Sequence, residues 1–328
     1  MREPRLVEVE TAPALKEMRG GVLVRLRLAG LCGTDLAAYR GVFPLVHYPL
    51  VPGHELLVDV LEAPSKRELE GNRAVIEPLF NCGVCTACRT GRYNACIALQ
   101  LFGVHIDGGL RDRAWVRDDR VHPVPADLRD DLAVLAEPTA VAYHAVQRSE
   151  VEVGTFVVVF GAGPIGLLIT QLLIRIHACR VLVVDLDEWR LGVAAAIGAL
   201  VVGPEDDLLA RVSAETSGDM AARVFEATGN PDCTLKSAQV VAIGGRIILI
   251  GWNQRPALFD TITFMRKEAD LVASRNSVGA FPAVLELLGA GVIDDQQLIT
   301  HRYDLADAPG AFKLLDSAAH TLKVVIAR

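Results

Sequence analysis

The stretch Thr155-Phe-Val-Val-Val-Phe-Gly161-Ala-Gly163-Pro-Ile-Gly166 joins an apolar run to a glycine-rich turn. Five apolar residues in succession, three of them valine, are typical of a strand that is covered on both faces of a sheet. The apolar residues that follow predict a buried helix, and a second apolar strand, from Arg180, ends at Asp185. Strand, G-x-G-x-x-G turn, helix, strand and acid in this order form a dinucleotide-binding fingerprint.

The fingerprint predicts how the cofactor is held. Its glycines allow the backbone to approach a pyrophosphate at the N-terminus of the helix. Asp185 can accept hydrogen bonds from both hydroxyls of the adenosine ribose and would repel a 2′-phosphate, so we expect NAD rather than NADP. The candidate cofactor-binding residues are Gly161, Gly163, Pro164, Ile165, Gly166, Asp185 and Arg190, the last of which would partly offset that repulsion. The simpler alternative, a turn that only packs helix on sheet, does not account for the flanking strands and the acid.

Composition narrows the class of protein. The chain has 328 residues, of which 51% are hydrophobic, and its net charge of −7 comes with no basic run, which argues against nucleic acid as a partner. Glycines, a proline and polar residues interrupt the apolar residues 155–178, so a membrane span is not expected. The N-terminus lacks an apolar signal core, which predicts a reducing cytoplasm where the seven cysteines are thiols or metal ligands.

The strand and helix pattern predicts an α/β protein with two domains. Strands alternate with helices in a doubly wound pattern, with candidate strands at 155–160, 180–184, 198–202, 222–226, 245–250 and 269–274. Before this region, short alternating runs such as Leu6–Glu10 and Gly21–Ala29 predict antiparallel sheet, and 127–147 predicts a helix. We expect a β-rich catalytic domain at 1–147, an NAD-binding domain at 148–274, and a return to the first domain at 275–328.

Four cysteines lie within fifteen residues, with the spacing C-x2-C-x2-C-x7-C. They are Cys82, Cys85, Cys88 and Cys96, in a polar loop that contains glycine. This pattern predicts a closed tetrahedral zinc site, because disulfides do not suit either the spacing or a reducing compartment. Since sulfur fills all four positions, the site is structural.

Several motifs in a fixed order, including those above, resemble the zinc-dependent medium-chain dehydrogenases, the alcohol and polyol dehydrogenase family. The resemblance covers nearly the whole chain, and its further carriers are Cys32-Gly-Thr-Asp35, Gly53-His54-Glu55 and Glu137-Pro138. It implies a GroES-like catalytic domain beside a Rossmann domain. Glu137, where liver-type alcohol dehydrogenases have cysteine, and the segment Ser274–Ser277 resemble the sorbitol, threonine and sugar-acid dehydrogenase branch.

The resemblance implies a second, catalytic zinc, and thus two Zn²⁺ per chain. The proposed ligands are Cys32, His54 and either Glu137 or Glu55, a donor set that leaves an exchangeable position. Taken singly, these residues also suit a structural cysteine, a satisfied core histidine and a helix-start acid. Thr34 matches the family's catalytic hydroxyl, and Asp35 matches the acid that orients the histidine ligand. Arg275, where the chain leaves the last predicted strand of the cofactor domain, is the candidate substrate contact, and Tyr39, just after the Cys32 loop, is the second candidate.

The sequence departs from the family at its proton relay. The histidine usually found three residues after the Thr34 position is Ala37 here. The relay would therefore end at the cofactor ribose, at water or at another group such as His47.

These observations favour an NAD-dependent dehydrogenase that oxidises a secondary alcohol such as a polyol or sugar acid. An L-threonine 3-dehydrogenase-like enzyme and a non-enzymatic NAD-binding protein on the same scaffold are the alternatives. The expected partner is a small alcohol, with neither nucleic acid nor membrane. A homodimer or homotetramer is expected through the sheet edge near 246–250 and 271–274.

Overall fold

The computed structural model describes residues 1–11, 15, 17–252, 255–317 and 320–328. They form two compact units, Met1–Glu137 with Val278–Arg328, and Pro138–Ser277. The units divide the chain near the boundaries expected after 147 and 274, which remain a proposal for the domain organisation.

Short strands dominate the first part of the chain. In order, it contains β1 (Gly21–Leu31), α1 (Gly33–Tyr39), β2 (Glu55–Glu62), β3 (Arg73–Ile76), β4 (Leu79–Phe80), α2 (Thr86–Arg89), β5 (Gln100–Leu101), β6 (Arg113–Arg117), β7 (Val121–Pro123), α3 (Asp130–Ala133) and α4 (Ala136–Ser149). Single-turn 3₁₀ helices at Arg67–Leu69, Tyr93–Ala95 and Asp118–Arg120 connect some of them.

The second unit contains a six-stranded parallel sheet with the order β10-β9-β8-β11-β12-β13. Its elements are β8 (Phe156–Phe160), α5 (Pro164–His177), β9 (Arg180–Val184), α6 (Glu188–Ile197), β10 (Leu200–Val202), α7 (Leu208–Glu215), β11 (Ala221–Glu226), α8 (Pro231–Val240), β12 (Val241–Leu249), α9 (Thr261–Lys267) and β13 (Asp270–Ala273). All six predicted strands are present. The strand order reverses beside β8, and in such sheets ligands bind at the carboxyl ends of the strands next to this reversal.

The end of the chain completes the sheet of the first unit. It contains α10 (Phe281–Gly289), β14 (Ile299–Asp304), α11 (Ala308–Ser317) and β15 (Lys323–Ala327). β15 pairs antiparallel with β1, and β14 runs parallel to β15, so the sheet has the order β14-β15-β1-β2-β3-β7, with β6 also paired to β1. The core lies against the alternating buried residues of these strands.

The predicted strand at Leu6–Glu10 is wrong. Of these residues only Leu6 pairs, in an isolated bridge with Glu3, and Leu6 and Val9 are exposed. The alternation of apolar and acidic residues is typical of a strand with one buried and one exposed face. A stable strand also needs a neighbouring strand that completes its backbone hydrogen bonds.

The helix predicted over 127–147 is divided into α3 and α4. Pro138 has no N–H to donate to the carbonyl of Val134, so an uninterrupted helix would lack that hydrogen bond. Proline is well tolerated in a first turn, and a new helix starts at Ala136. This restart places Glu137 at a helix N-terminus.

Among the described residues, no helix has both the length and the apolar character that crossing a membrane requires.

Candidate active site

The pairing of β1 with β2 brings Cys32 and His54 together. Gly30 on β1 lies opposite Glu55 on β2, so the residues just beyond these two positions are neighbours. Cys32 caps α1, with its sulfur accepting a hydrogen bond from the N–H of Thr34 at 3.1 Å. The same sulfur lies 3.1 Å from Nε2 of His54. A thiol and an imidazole from separate loops thus share one site.

Asp35 contacts both Cys32 and His54. Its Oδ2 accepts the N–H of Cys32 at 3.0 Å, and its Oδ1 lies 3.7 Å from Nδ1 of the buried His54. That Nδ1 has no hydrogen-bond partner among the described residues. Burial raises the pKa of the Asp35 carboxyl and that of the Cys32 thiol. Burial alone would lower the pKa of His54, but the neighbouring Cys32 and Asp35 hold it well above its usual value. A bound cation would favour the thiolate of Cys32 and the neutral imidazole of His54, so metal binding at these groups would release protons.

The donor atoms suit a catalytic zinc. Sulfur of Cys32, a ring nitrogen of His54 and a carboxylate oxygen of Glu55 all lie within 4.8 Å of one another. Glu137 adds a carboxylate near this group, and loss of solvent, with further contributions from Glu55 and Asp35, raises its pKa to about 7. One sulfur, one nitrogen and oxygens match the donor sets of zinc sites that keep a position open for substrate.

Glu55 is held by a lysine that the sequence analysis did not identify. Nζ of Lys323 lies 2.7 Å from each carboxylate oxygen of Glu55 and donates to the carbonyl of Leu31 at 3.2 Å. Both side chains are about 2% exposed. Burial by itself would lower the pKa of Lys323, but the Glu55 carboxylate raises the pKa of this lysine above its usual value. Gly30 leaves room for this pair, since a Cβ there would lie 2.0 Å from a Glu55 oxygen.

The four cysteines of the loop after β4 converge as predicted. Their sulfur atoms all lie within 4.8 Å of one another, and the Cys85–Cys88 and Cys82–Cys96 pairs are 3.5 Å apart. Disulfide-bonded sulfurs would be about 2.05 Å apart. Four sulfurs on a tetrahedron around zinc would be about 3.8 Å apart, given a zinc–sulfur distance of about 2.3 Å. Backbone N–H groups of Cys88 and Ile97 lower the pKa of Cys85 to about 6, which favours the thiolate.

In the second unit, the glycine turn has the shape that a dinucleotide requires. Gly161 has a φ of +99°, which favours glycine, and a Cβ on Gly166 would lie 1.8 Å from the Gly161 carbonyl oxygen. A Cβ on Gly163 would meet no atom within 4 Å, so the space above it is open. Pro164 and Ile165 begin α5, whose first N–H groups face the turn.

Asp185 fixes this turn at the end of β9. Its Oδ2 accepts the N–H of Ala162 at 2.6 Å, and its Oδ1 accepts the N–H of Asp187 at 2.9 Å. Each carboxylate oxygen keeps a second lone pair for a ribose hydroxyl. Nε of Arg190 lies 3.6 Å from a carboxylate oxygen of Asp187.

Comparison with known proteins identifies the family. The profile described as "Alcohol dehydrogenase GroES-like domain" matches residues 18–126, and that described as "Zinc-binding dehydrogenase" matches residues 164–290. An uncharacterized zinc-type alcohol dehydrogenase-like protein of Haemophilus influenzae is 34% identical, with 99% of this chain and 96% of that protein covered. The chain belongs to the zinc-type medium-chain dehydrogenase family.

Two further relatives of this medium-chain dehydrogenase are informative. L-Galactonate-5-dehydrogenase of Escherichia coli is 32% identical, with 87% of this chain and 84% of that protein covered. The crystal structure of the alcohol dehydrogenase rspB from E. coli CFT073, in complex with NADH, has a TM-score of 0.92 and 29% identity and covers 100% of this chain and 97% of that chain. The predicted family and the predicted α/β class, with GroES-like and Rossmann domains, are confirmed.

The other predicted residues of the dehydrogenase have contrasting environments. Thr34 is partly exposed beside Cys32, whereas His47 and Arg275 are exposed. Tyr39 is 5% exposed in the core, with its ring centroid 5.6 Å from that of Phe312. This environment favours a packing role for Tyr39 over the predicted substrate contact.

Glu226 is a second residue that sequence reasoning missed. At the end of β11 it is 2% exposed, and its Oε1 accepts the N–H groups of Thr228 at 2.8 Å and Gly229 at 3.1 Å. This holds Thr228 beside Gly161, since a Cβ on Gly161 would lie 3.0 Å from Thr228 Cγ2. The only signal in the sequence is an acid that ends an apolar strand ahead of Ala-Thr-Gly.

Replacing Cys85 by serine is expected to remove zinc from the four-cysteine loop and to lower the melting temperature by roughly 5–10 °C, because metal binding there contributes to folding. Metal analysis and calorimetry measure both effects. Cys233→Ser, outside both metal-competent groups, is the matched control and should keep the zinc content and the melting temperature of the unaltered protein. A Cys85→Ser protein that melts normally but loses turnover would contradict a structural role.

Proposed function

We propose that this dehydrogenase is a zinc-dependent enzyme that transfers a hydride from a secondary alcohol, such as a polyol or sugar acid, to NAD. The observation that carries the proposal is the convergence of Cys32, His54 and a carboxylate around one point. Bound zinc would act as a Lewis acid that lowers the pKa of the substrate hydroxyl.

Cys32, His54 and either Glu137 or Glu55 would hold the zinc. Glu55 lies within 4.8 Å of the other two donors, but Lys323 engages both of its carboxylate oxygens, so we infer that Glu137 would be the resting ligand and that Glu55 would bind only on leaving Lys323. Oxygen ligands exchange more readily than sulfur, so Glu137 and Glu55 can alternate as water or substrate enters. A polyol suits such a site because a vicinal hydroxyl can take a vacated position.

The residues around the metal site have two further roles, which are transfer of the substrate's hydroxyl proton and orientation of the metal ligands. The hydroxyl of Thr34 would take the proton of the substrate alcohol, as its match to the family's catalytic hydroxyl implies, and its backbone N–H bonds to the sulfur of Cys32. Asp35 orients the His54 ring from 3.7 Å. Because Ala37 cannot carry the proton further, the relay ends at the cofactor ribose, at water or at His47.

The substrate contact is assigned to Arg275. It is exposed directly after the buried Ser274, whose N–H bonds to Leu249 at the carboxyl end of the parallel sheet. An arginine fork suits hydroxyls or a carboxylate. The assignment of Arg275 therefore supports a sugar acid or a polyol as the substrate over a simple alcohol.

NAD should be preferred to NADP by at least about tenfold in kcat/KM, because the Asp185 carboxylate would face a 2′-phosphate. Steady-state kinetics with both cofactors measure the preference. Asp185→Asn keeps the Oδ1 acceptor but removes the charge, and it should narrow the ratio. A higher kcat/KM with NADP in the unaltered enzyme would overturn this assignment.

The enzyme is expected to be a homodimer or homotetramer joined through β13, one of the two edge strands of the six-stranded sheet. An exposed edge presents unpaired backbone groups, and the neighbouring Ile262 and Met265 are 69% and 77% exposed. Light scattering at micromolar concentration measures the mass of the particle in solution. Leu271→Lys on β13 should lower that mass. A monomer in the unaltered protein would count against this interface.

The direct test of the proposed function is NAD reduction with a panel of sugar acids, polyols and threonine, combined with zinc analysis. Turnover with about two zinc per chain supports the dehydrogenase. NAD binding with no turnover and about one zinc per chain would favour the non-enzymatic alternative, with only the cysteine site filled.

A further inference from the structure

Tyr93 joins the four-cysteine loop to the returning chain. It lies between Cys88 and Cys96, and its hydroxyl accepts the backbone N–H of Gly279 at 2.6 Å, across 186 residues of sequence. Gly279 has a φ of +57°, lies four residues after Arg275, and precedes α10. A side chain of the metal loop thus holds the backbone just beyond the proposed substrate contact.

A buried carboxylate fixes the direction of this hydroxyl. Glu77 is 2% exposed and hydrogen-bonds to Tyr93, while its two oxygens lie 3.0 Å from Nη1 of Arg120 and 3.2 Å from Nε2 of His122. The single phenolic hydrogen is donated to the carboxylate, which leaves the oxygen lone pair for Gly279. The hydrogen of the Tyr93 hydroxyl and a lone pair of its oxygen therefore both have hydrogen-bond partners.

The same cluster reaches the metal-competent sulfurs. Nδ2 of Asn81 donates to Cys88 Sγ at 3.3 Å, and Oδ1 of Asn81 accepts from Arg120. The Arg120 guanidinium also lies 4.9 Å from the centre of the Tyr93 ring. An unbroken set of contacts thus runs from a cysteine sulfur through Asn81, Arg120 and Tyr93 to Gly279.

A second anchor lies two residues further along the chain. The ring of His122 stacks on Phe281, with centroids 4.9 Å apart and planes inclined by 14°. Phe281 is 1% exposed and begins α10. Both anchors meet at Glu77, so one buried cluster holds the backbone at 279 and 281.

We propose that Tyr93 is a positioning residue for substrate binding: through it, the metal-loaded cysteine loop orders the segment 278–281 and thereby restrains Arg275. The cysteine loop then contributes to substrate affinity as well as to folding. The kinetic part of this inference rests on the proposed function, whereas the ordering of 278–281 does not.

The test is Tyr93→Phe in the full-length, zinc-loaded protein, because phenylalanine keeps the ring against Arg120 and removes only the hydroxyl. Amide hydrogen exchange at Gly279 should become about three- to tenfold faster, as expected for one lost hydrogen bond. KM for the oxidised alcohol should rise by a similar factor, with kcat within about twofold, KM for NAD unchanged, and zinc content unchanged. Arg275→Ala should raise the same KM at least as much.

The matched control is Tyr303→Phe on β14, a partly exposed tyrosine of the same unit, which should change neither exchange nor KM. Asn81→Ala is a second variant in case Tyr93→Phe fails to fold, and it too should speed exchange at Gly279. Unchanged exchange at Gly279 in the folded variant overturns the proposal, and faster exchange with an unchanged KM overturns its substrate role. If the unaltered protein oxidises no alcohol, the proposed function fails, and the exchange measurement still decides whether the loop orders this segment.

Discussion

Glu137→Ala is expected to lower kcat by at least about 10²-fold, equivalent to roughly 3 kcal/mol of transition-state stabilisation. The variant should lose affinity for the catalytic zinc but keep the zinc of the four-cysteine loop and its binding of NAD. The reason is that Glu137 supplies a carboxylate that interacts with His54, whereas Lys323 engages both carboxylate oxygens of Glu55. Steady-state kinetics with metal analysis measure both effects.

The matched control for Glu137→Ala is Asp232→Ala, which removes an exposed acid from the first turn of α8. Loss of a helix-start acid alone costs only about 0.3–1 kcal/mol of stability. If Glu137→Ala resembles this control, with two zinc per chain and near-normal kcat, the ligands must be reassigned to Cys32, His54 and Glu55.

Lys323→Met is expected to destabilise the protein by about 3–5 kcal/mol, because it leaves the buried Glu55 carboxylate without its partner. The two side chains are about 2% exposed and share contacts of 2.7 Å, so little water can replace the lysine. Denaturant unfolding of the protein without catalytic zinc measures the loss, because a bound zinc would give Glu55 a second partner. Methionine fills a similar volume, so a cavity contributes little.

The double variant Lys323→Met with Glu55→Gln separates charge from packing. It should recover at least half of the lost stability, because no buried charge remains. Lys313→Met, at an exposed position of α11, should stay within about 0.5 kcal/mol of the unaltered protein. A double variant as unstable as Lys323→Met alone would show that the lysine acts through its shape rather than by pairing with Glu55.

The second unit is predictable from sequence because its signals are local. The apolar strand β8, the turn at Gly161–Gly166 and Asp185 lie within thirty residues. Gly161 and Gly166 each occupy a position where a side chain would be strained or would clash. The four-cysteine loop is predictable for the same reason, since the spacing of its ligands is short.

The pairing of Glu55 with Lys323 could not be predicted in this way. The two residues are 268 positions apart and meet only because β15 returns beside β1, opposite β2. The link from Tyr93 to Gly279 depends on a similar return of the chain. The wrong strand at Leu6–Glu10 has the same cause: the segment has the period of a strand, but a local pattern does not show whether a second strand pairs with it.

Anomalous diffraction at the zinc edge, from crystals of the zinc-loaded protein grown with NAD, shows whether the protein binds a catalytic zinc and through which residues. We expect two zinc peaks per chain, one among Cys82, Cys85, Cys88 and Cys96, and one bonded to Cys32, His54 and Glu137. A single peak in the cysteine loop, with Cys32 and His54 bonded only to each other, would contradict it.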